Sequence, residues 1–265
     1  MPNVMEIYRY LDGLAPFSLQ MDFDNAGFLV GRGERDVKKV LVALDITEEV
    51  VAEAVELGAQ LIVSHHPVIF HPARSITDGD PTGRVLLALV EGGLSAICAH
   101  TNLDAVQGGV NDALAAALGL TRLEQLHPDG VDALARPYGI GRVGVREGVP
   151  VYLPAFAKEV KEALNAAAVR YVDARRPVRR VAVGGGACGD MLLDAVKLGC
   201  DTFVTADVKY NGFLDAKALG INLIDAGHFP TEQVICPVLE KWLKSGFPGL
   251  EIVRSAVHKE VYACL

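Results

Sequence analysis

The chain has 265 residues, 51% hydrophobic and 22% charged, with 25 Lys and Arg against 33 Asp and Glu for a formal charge of -8. That length forms one large domain or two modest ones, and the composition is that of an ordinary soluble globular protein. The negative balance argues against a surface that tracks nucleic-acid phosphates.

Near the start, Val4, Ile7, Tyr8, Leu11 and Leu14 recur at helical spacing, closed by Pro16. Val40 to Leu44 is an apolar run short enough for a buried strand. Asp45-Ile46-Thr47 supplies capping chemistry for a helix over 47–57, stopped by Gly58. Leu61 to Val63 is the next strand and runs into His65 and His66. Residues 84–92 predict a helix, 94–99 a strand, and 108–118 a helix ended by Gly119. The stretch 123–150, rich in Gly and Pro, reads as a join between two halves, 1–130 and 131–265, with the C-terminal part able to pack back on the first. The basic run Arg175-Arg176-Pro177-Val178-Arg179-Arg180 reads as a solvated linker, with a phosphate-contacting patch as the minor alternative. Residues 178–183 then echo 37–42, and 195–201 echo 54–60. Each copy continues into a short apolar strand, Thr202 to Thr205 in the second. Two similar α/β domains are the economical inference.

Met1 to Glu6 lacks the basic and apolar regions of a signal peptide, and nothing approaches the ~18 consecutive apolar residues of a membrane span. Cys98, Cys188, Cys200, Cys236 and Cys264 are scattered, never C-x-x-C, which suits reduced thiols in a cytoplasm. Cys98 and Cys236 read as core. Any metal site must therefore use nitrogen and oxygen ligands.

Functional groups in open α/β sheets gather beyond the carboxyl ends of strands. Three clusters fall there: His65-His66 after 61–63, His100 with Asp104 after 94–99, and His228 with Glu232 after 221–224. Singly, each has a bland reading: a cap, a satisfied core imidazole, or an acid at a helix start. Together they supply imidazoles and carboxylates without thiolates, the donor mixture for Zn, Mn, Fe, Co or Ni, in numbers sufficient for two divalent ions. A carboxylate such as Asp104 or Glu232 can bridge them. Neighbouring side chains on an extended strand point to opposite sides. His65 and His66 would then serve different ions unless the chain bends at Pro67. His71, His127 and His258 read as surface or loop residues.

Gly184-Gly185-Gly186-Ala187-Cys188-Gly189 satisfies G-x-G-x-x-G, with Asp207 at the end of the next strand. It reads first as a βα turn, then as a phosphate- or substrate-contacting loop, and last as a nicotinamide site.

The sequence resembles the Nif-three-like dinuclear-metal proteins, the GTP cyclohydrolase 1 type 2 homologues. The resemblance rests on Asp24-Asn25-Ala26-Gly27 with Val30-Gly31, Ser64-His65-His66-Pro67, His100-Thr101-Asn102-Leu103-Asp104 with Gly108-Gly109-Val110-Asn111, and Gly227-His228 with Thr231-Glu232. It implies two similar α/β domains with a metal site in the cleft between them, in a short form without the domain that many members insert. It implies two divalent ions per chain held by His65, His66, Asp104, His228 and Glu232, and a toroidal homohexamer. His100 would sit at the site's edge as a ligand or a proton-handling group; an orienting role is the alternative. The implied activity is metal-dependent hydrolysis of a small molecule through a water acidified by the ions, with purine ring opening in GTP as the suggested reaction. A non-catalytic metal-binding or partner-docking scaffold, or a nucleotide-binding regulator using the glycine-rich turn, are the other readings. The chain departs from the family at Ala206, where glycine is common, and at Asn211 and Phe229, where histidine often stands. Asn211 puts in doubt whatever that histidine does for the substrate.

Overall fold

The computed structural model describes residues 1–265 as two compact units, Met1–Leu103 with Ile235–Lys259, and Asp104–Val234 with Glu260–Leu265.

The first unit opens with α1 (Val4–Leu14), which buries Val4, Ile7 and Leu11 and starts on a reciprocal capping box between Asn3 and Glu6. β1 (Gly27–Val30) and β2 (Lys39–Ala43) follow. α2 (Glu48–Glu56) is capped by Thr47, whose hydroxyl accepts from Val50 N. β3 (Leu61–Ser64), α3 (Pro81–Glu91) and β4 (Ser95–Cys98) complete the run. α3 starts three residues earlier than its periodicity predicts, because Asp80 caps Gly83 N and Pro81 takes the first helical position. β2, β3 and β4 are parallel neighbours, and β1 lies antiparallel to β4. Leu41, Ala43, Ile62, Ala96 and Cys98 face α2 and α3 in one apolar cluster. Val40, Val42, Leu61, Val63 and Ile97 on the alternate face are equally buried. Burial on both faces is why these strands read as continuous apolar runs.

The division between units falls inside α4 (Thr101–Ala105), a short helix that the sequence pattern does not announce. The second unit continues with α5 (Val110–Ala117), β5 (Leu120–Gln125), the hairpin β6 (Gly130–Val131) and β7 (Pro137–Tyr138), then β8 (Arg142–Arg146). α6 (Leu153–Ala163), β9 (Arg170–Val172), β10 (Arg180–Val183), α7 (Leu192–Lys197), β11 (Thr202–Thr205), α8 (Tyr210–Leu219), β12 (Asn222–Asp225) and α9 (His228–Glu232) follow. The sheet order is β5-β8-β10-β11-β12-β9, with β10, β11 and β12 parallel. Alternation along the strands divides the core. Val181, Val183, Val204 and Ile224 pack with α5 and α6, while Ala182, Phe203 and Leu223 pack with α7 and α8.

The stretch 123–150 is therefore no join. β8 lies in the sheet between β5 and β10. Its Gly144 is required by proximity, since a Cβ there would stand 2.8 Å from side-chain carbons of Leu120 and Leu123. Arg142 is 2% exposed; it donates to the carbonyls of Gly139, Gly141 and Val106, each at 2.8 Å, and to Asp112 Oδ2 at 2.8 Å. A buried guanidinium with those partners binds the glycine-rich segment to the start of this unit, which is why the division falls near residue 103 rather than 130.

The chain then returns to the first unit as α10 (Cys236–Gly246) and β13 (Glu251–Arg254), the latter pairing parallel with β2. No helix is long and apolar enough to cross a membrane.

Candidate metal centre

In the first unit the paired histidines follow β3. His65 N and His66 N both donate to Leu44 O, at 3.2 and 2.9 Å, and Ser64 Oγ donates to His66 O at 2.9 Å. Two successive amides on one carbonyl break the strand's alternation. Both rings therefore turn to the same side, and the expectation that they would face apart is corrected at His65 itself, ahead of Pro67. His100 follows β4 and joins them, with ring centroids 5.1 Å from His65 and 5.5 Å from His66. One ring nitrogen from each of the three lies within 4.8 Å of the others.

Each ring is held by an oxygen. Ala99 O is 2.8 Å from His65 Nδ1, Asp45 Oδ1 is 2.7 Å from His66 Nδ1, and Asp24 Oδ1 is 2.8 Å from His100 Nδ1. A carbonyl or ionised carboxylate only accepts, so Nδ1 carries the proton in each ring and Nε2 carries the lone pair. This is how proteins prepare imidazoles for a metal. Burial pushes the Asp24 carboxyl up, but hydrogen bonds from His100 and Thr101 outweigh it and hold the pKa at about 2. The same contest at Asp45, decided by hydrogen bonds from His258 and His66, leaves that acid well below the usual carboxylate range. Both are fixed anions.

In the second unit the donors are carboxylates and one imidazole. α9 begins after Gly227, at φ +87°, and its single turn places His228 and Glu232 on one face, with Nε2 3.0 Å from Oε2. Asp207 Oδ2 accepts from His228 Nδ1 at 2.7 Å. Asp104 brings a carboxylate oxygen within 4.8 Å of Glu232. Glu232 is 3% exposed. Burial first, then the charges of Asp104 and Glu232, push the Cys188 thiol well above its ordinary range. Asp104 and the buried Glu232 thus generate a negative site that a divalent cation would relieve. The donor sets of both units fit such an ion: oriented imidazoles in one, paired carboxylates with an oriented imidazole in the other, and no thiolate.

The glycine-rich turn serves this second cluster. Gly185 N donates to Asn111 Oδ1 at 2.9 Å and Gly186 N to Thr231 Oγ1 at 3.1 Å, so these amides are already committed inside the protein. A Cβ on Gly186, at φ +64°, would overlap Glu232 Oε1 and sit 3.2 Å from His228 Nε2. The glycine makes room for the acid. Asp207, the candidate ribose-binding acid, instead orients His228 from a left-handed backbone at φ +51°. These contacts remove the basis of the nicotinamide reading. A groove of about 760 Å³ runs along α8 beside Asp207, lined by Ala187, Gly189, Leu193, Lys209 and Leu219 among others.

All six site residues singled out from sequence are thus gathered within their units. His71 is exposed and His127 half-exposed, as read. His258 is not a surface residue: its side chain is 7% exposed and its Nε2 lies 3.0 Å from Asp45 Oδ2. What sequence reasoning missed is that Asp24, Asp45 and Asp207 anchor His100, His66 and His228. The capping role that the sequence suggests for Asp45 belongs to Thr47. The strand-end rule that found the histidines applies equally to Asp45 after β2 and Asp207 after β11.

Similarity to known proteins extends along nearly the whole chain. A Clostridium perfringens protein described as a GTP cyclohydrolase 1 type 2 homolog is 37% identical over 259 residues, 97% of each chain. A Bacillus cereus protein related to NIF3 superposes with a TM-score of 0.92 at 26% identity, over 100% of this chain and 99% of that one. A Staphylococcus aureus hypothetical protein gives 0.92 at 29% identity, over 99% of both. The family model described as Duf34/NIF3 (NGG1p interacting factor 3) matches residues 2–261, and the chain belongs to that family.

Proposed function

We propose that the protein holds a dinuclear divalent-metal centre, with His65, His66, Asp104, His228 and Glu232 as ligands, and that it is a metal-dependent hydrolase. The carrying observation is the anchoring of the three ligand imidazoles, His65, His66 and His228, through Nδ1 to Ala99 O, Asp45 and Asp207. Three neutral rings give too little charge for two dications, and Asp104 and Glu232 supply it. When bound, two such ions provide Lewis acidity and lower the pKa of a water.

The chain's own residues supply the rest. Asp24 keeps His100 with its proton on Nδ1, so His100 Nε2 is the atom that takes a proton from the nucleophile and returns it to the leaving group. The groove beside Asp207 offers room for an organic substrate, with apolar walls and Lys209 at its edge. Purine ring opening in GTP, the reaction suggested by the relatives' description, is the first activity to assay. In this reading the protein works in the cytoplasm as a toroidal homohexamer. A metal-handling scaffold without turnover is the second reading. It is favoured by Asn211, which lines the groove with an amide that has no proton to exchange near neutral pH, at a position where the family resemblance implies a histidine.

Elemental analysis after reconstitution with Zn, Mn, Fe, Co and Ni tests the centre. About two ions per chain are expected, falling in Asp104→Ala. No stoichiometric metal under any condition refutes it. GTP turnover lost in both Asp104→Ala and His100→Gln supports the hydrolase; full metal without turnover on a broad substrate panel supports the scaffold.

A further inference from the structure

His66 is held by Asp45, and Asp45 is itself held from the opposite side. The carboxylate meets one imidazole per oxygen: Oδ1 is 2.7 Å from His66 Nδ1 and Oδ2 is 3.0 Å from His258 Nε2. The same His258 nitrogen lies 3.2 Å from the Asp45 backbone nitrogen. One nitrogen cannot donate to the carboxylate and accept from the amide in the same protonation state. The shorter, charge-assisted contact is the stronger, so the proton sits on Nε2 and His258 donates to Asp45.

A carboxylate rotates easily about its terminal torsion. With one donor it can swing and carry its partner along; with a donor on each oxygen it is pinned. His258 is pinned in turn. After β13, Ser255 N donates to Val42 O at 2.8 Å, continuing the ladder with β2. Glu53 of α2 accepts from Ser255 Oγ and, at 2.8 Å, from Ala256 N. Ser255 Oγ then accepts from His258 N at 3.1 Å. Glu53, Ser255, His258, Asp45 and His66 thus form a continuous relay from the outer helix to a candidate ligand.

We infer that His258 is a positioning residue of the metal centre, which makes the segment following β13 part of the site by fixing Asp45 and through it the His66 ring. This rests on the reading of His66 as a ligand. It predicts that metal affinity depends on a residue that touches no metal. Loss of such an orienting partner costs about 10–100-fold in affinity elsewhere.

The test compares wild type with His258→Phe, which keeps ring volume without a donor, and His258→Gln, whose amide can still donate to Asp45. Zinc affinity is measured by competition with a chromophoric chelator. The ring-nitrogen proton correlations of His66, assigned by its absence in His66→Gln, are recorded in metal-free protein. A weakening of about 10–100-fold is expected in His258→Phe and partial recovery in His258→Gln. In metal-free His258→Phe, His66 should lose its single Nδ1-protonated form. Zinc affinity equal to or tighter than wild type in His258→Phe, or an unchanged His66 spectrum, overturns the inference. Should wild type bind no zinc, the proposed centre fails, yet the His66 spectrum still decides whether His258 positions that ring. A fold lost in His258→Phe shifts the comparison to His258→Gln against Glu53→Gln, which loosens the relay one step further out. Unchanged His66 signals in both variants overturn it equally.

Discussion

Gly186→Ala separates a role in the metal centre from a role in the turn. The residue stands at φ +64°, where any side chain costs about 1–2 kcal/mol. At roughly 2–4 °C per kcal/mol for a chain of this size, the backbone term lowers Tm by about 2–8 °C. The new methyl would also overlap Glu232 Oε1 and lie 3.1 Å from its Cδ and 3.2 Å from His228 Nε2. Glu232 is buried and cannot rotate away at no cost, so the acid shifts and its geometry toward Asp104 is lost. Gly199→Ala is the matched control: φ is +72°, and a Cβ there meets nothing within 4 Å. Both variants should melt lower, Gly186→Ala by more because of the added overlap, but only Gly186→Ala should lose bound metal, to half the wild-type stoichiometry or less by elemental analysis. Equal metal in the two alanine variants would refute the idea that this glycine exists to admit Glu232, and would return the turn to the status of a plain βα connection.

Arg142→Met should destabilise the protein by about 3 kcal/mol or more, because it leaves Asp112 and several buried carbonyls without their donor. Chemical denaturation checks this, and a loss below about 1 kcal/mol would show that water replaces the guanidinium. Asp24 has a folded-state pKa lowered from 3.8 to about 2. Its ionised form therefore contributes stability that is fully present above about pH 4 and is lost as pH falls through about 2, capped at about 2 kcal/mol. In metal-free protein the stability gap between wild type and Asp24→Asn should narrow between pH 5 and pH 2; a constant gap would mean that the shift is not a property of the folded state.

The candidate ligands were legible because they are collected by a rule of topology. Parallel strands end together, so an imidazole or carboxylate following Val63, Ala99 or Ile224 is brought to the carboxyl edge of a sheet whatever the loops do. The strands were legible for a related reason. Burial on both faces removes the polar alternation and leaves runs such as Val40 to Leu44. What failed was the reading of the Gly- and Pro-rich stretch 123–150 as a join. Gly144 and the glycines of 184–186 are small because another chain segment stands where a Cβ would be. A single sequence does not distinguish room made for a neighbour from freedom to move.

The anchors were illegible for a deeper reason. His258 finds Asp45 across 213 residues because β13 pairs beside β2, and Asp207 finds His228 because β11 and β12 are neighbours. Both contacts depend on strand order, which local periodicity does not encode. Yet the anchors carry more of the argument for metal than the ligands do. A histidine at a strand end is common, whereas His65, His66 and His228, each with Nδ1 on an oxygen, amount to a tautomer chosen three times. Random burial has no cause to make that choice repeatedly. A site built to present Nε2 lone pairs to a cation does.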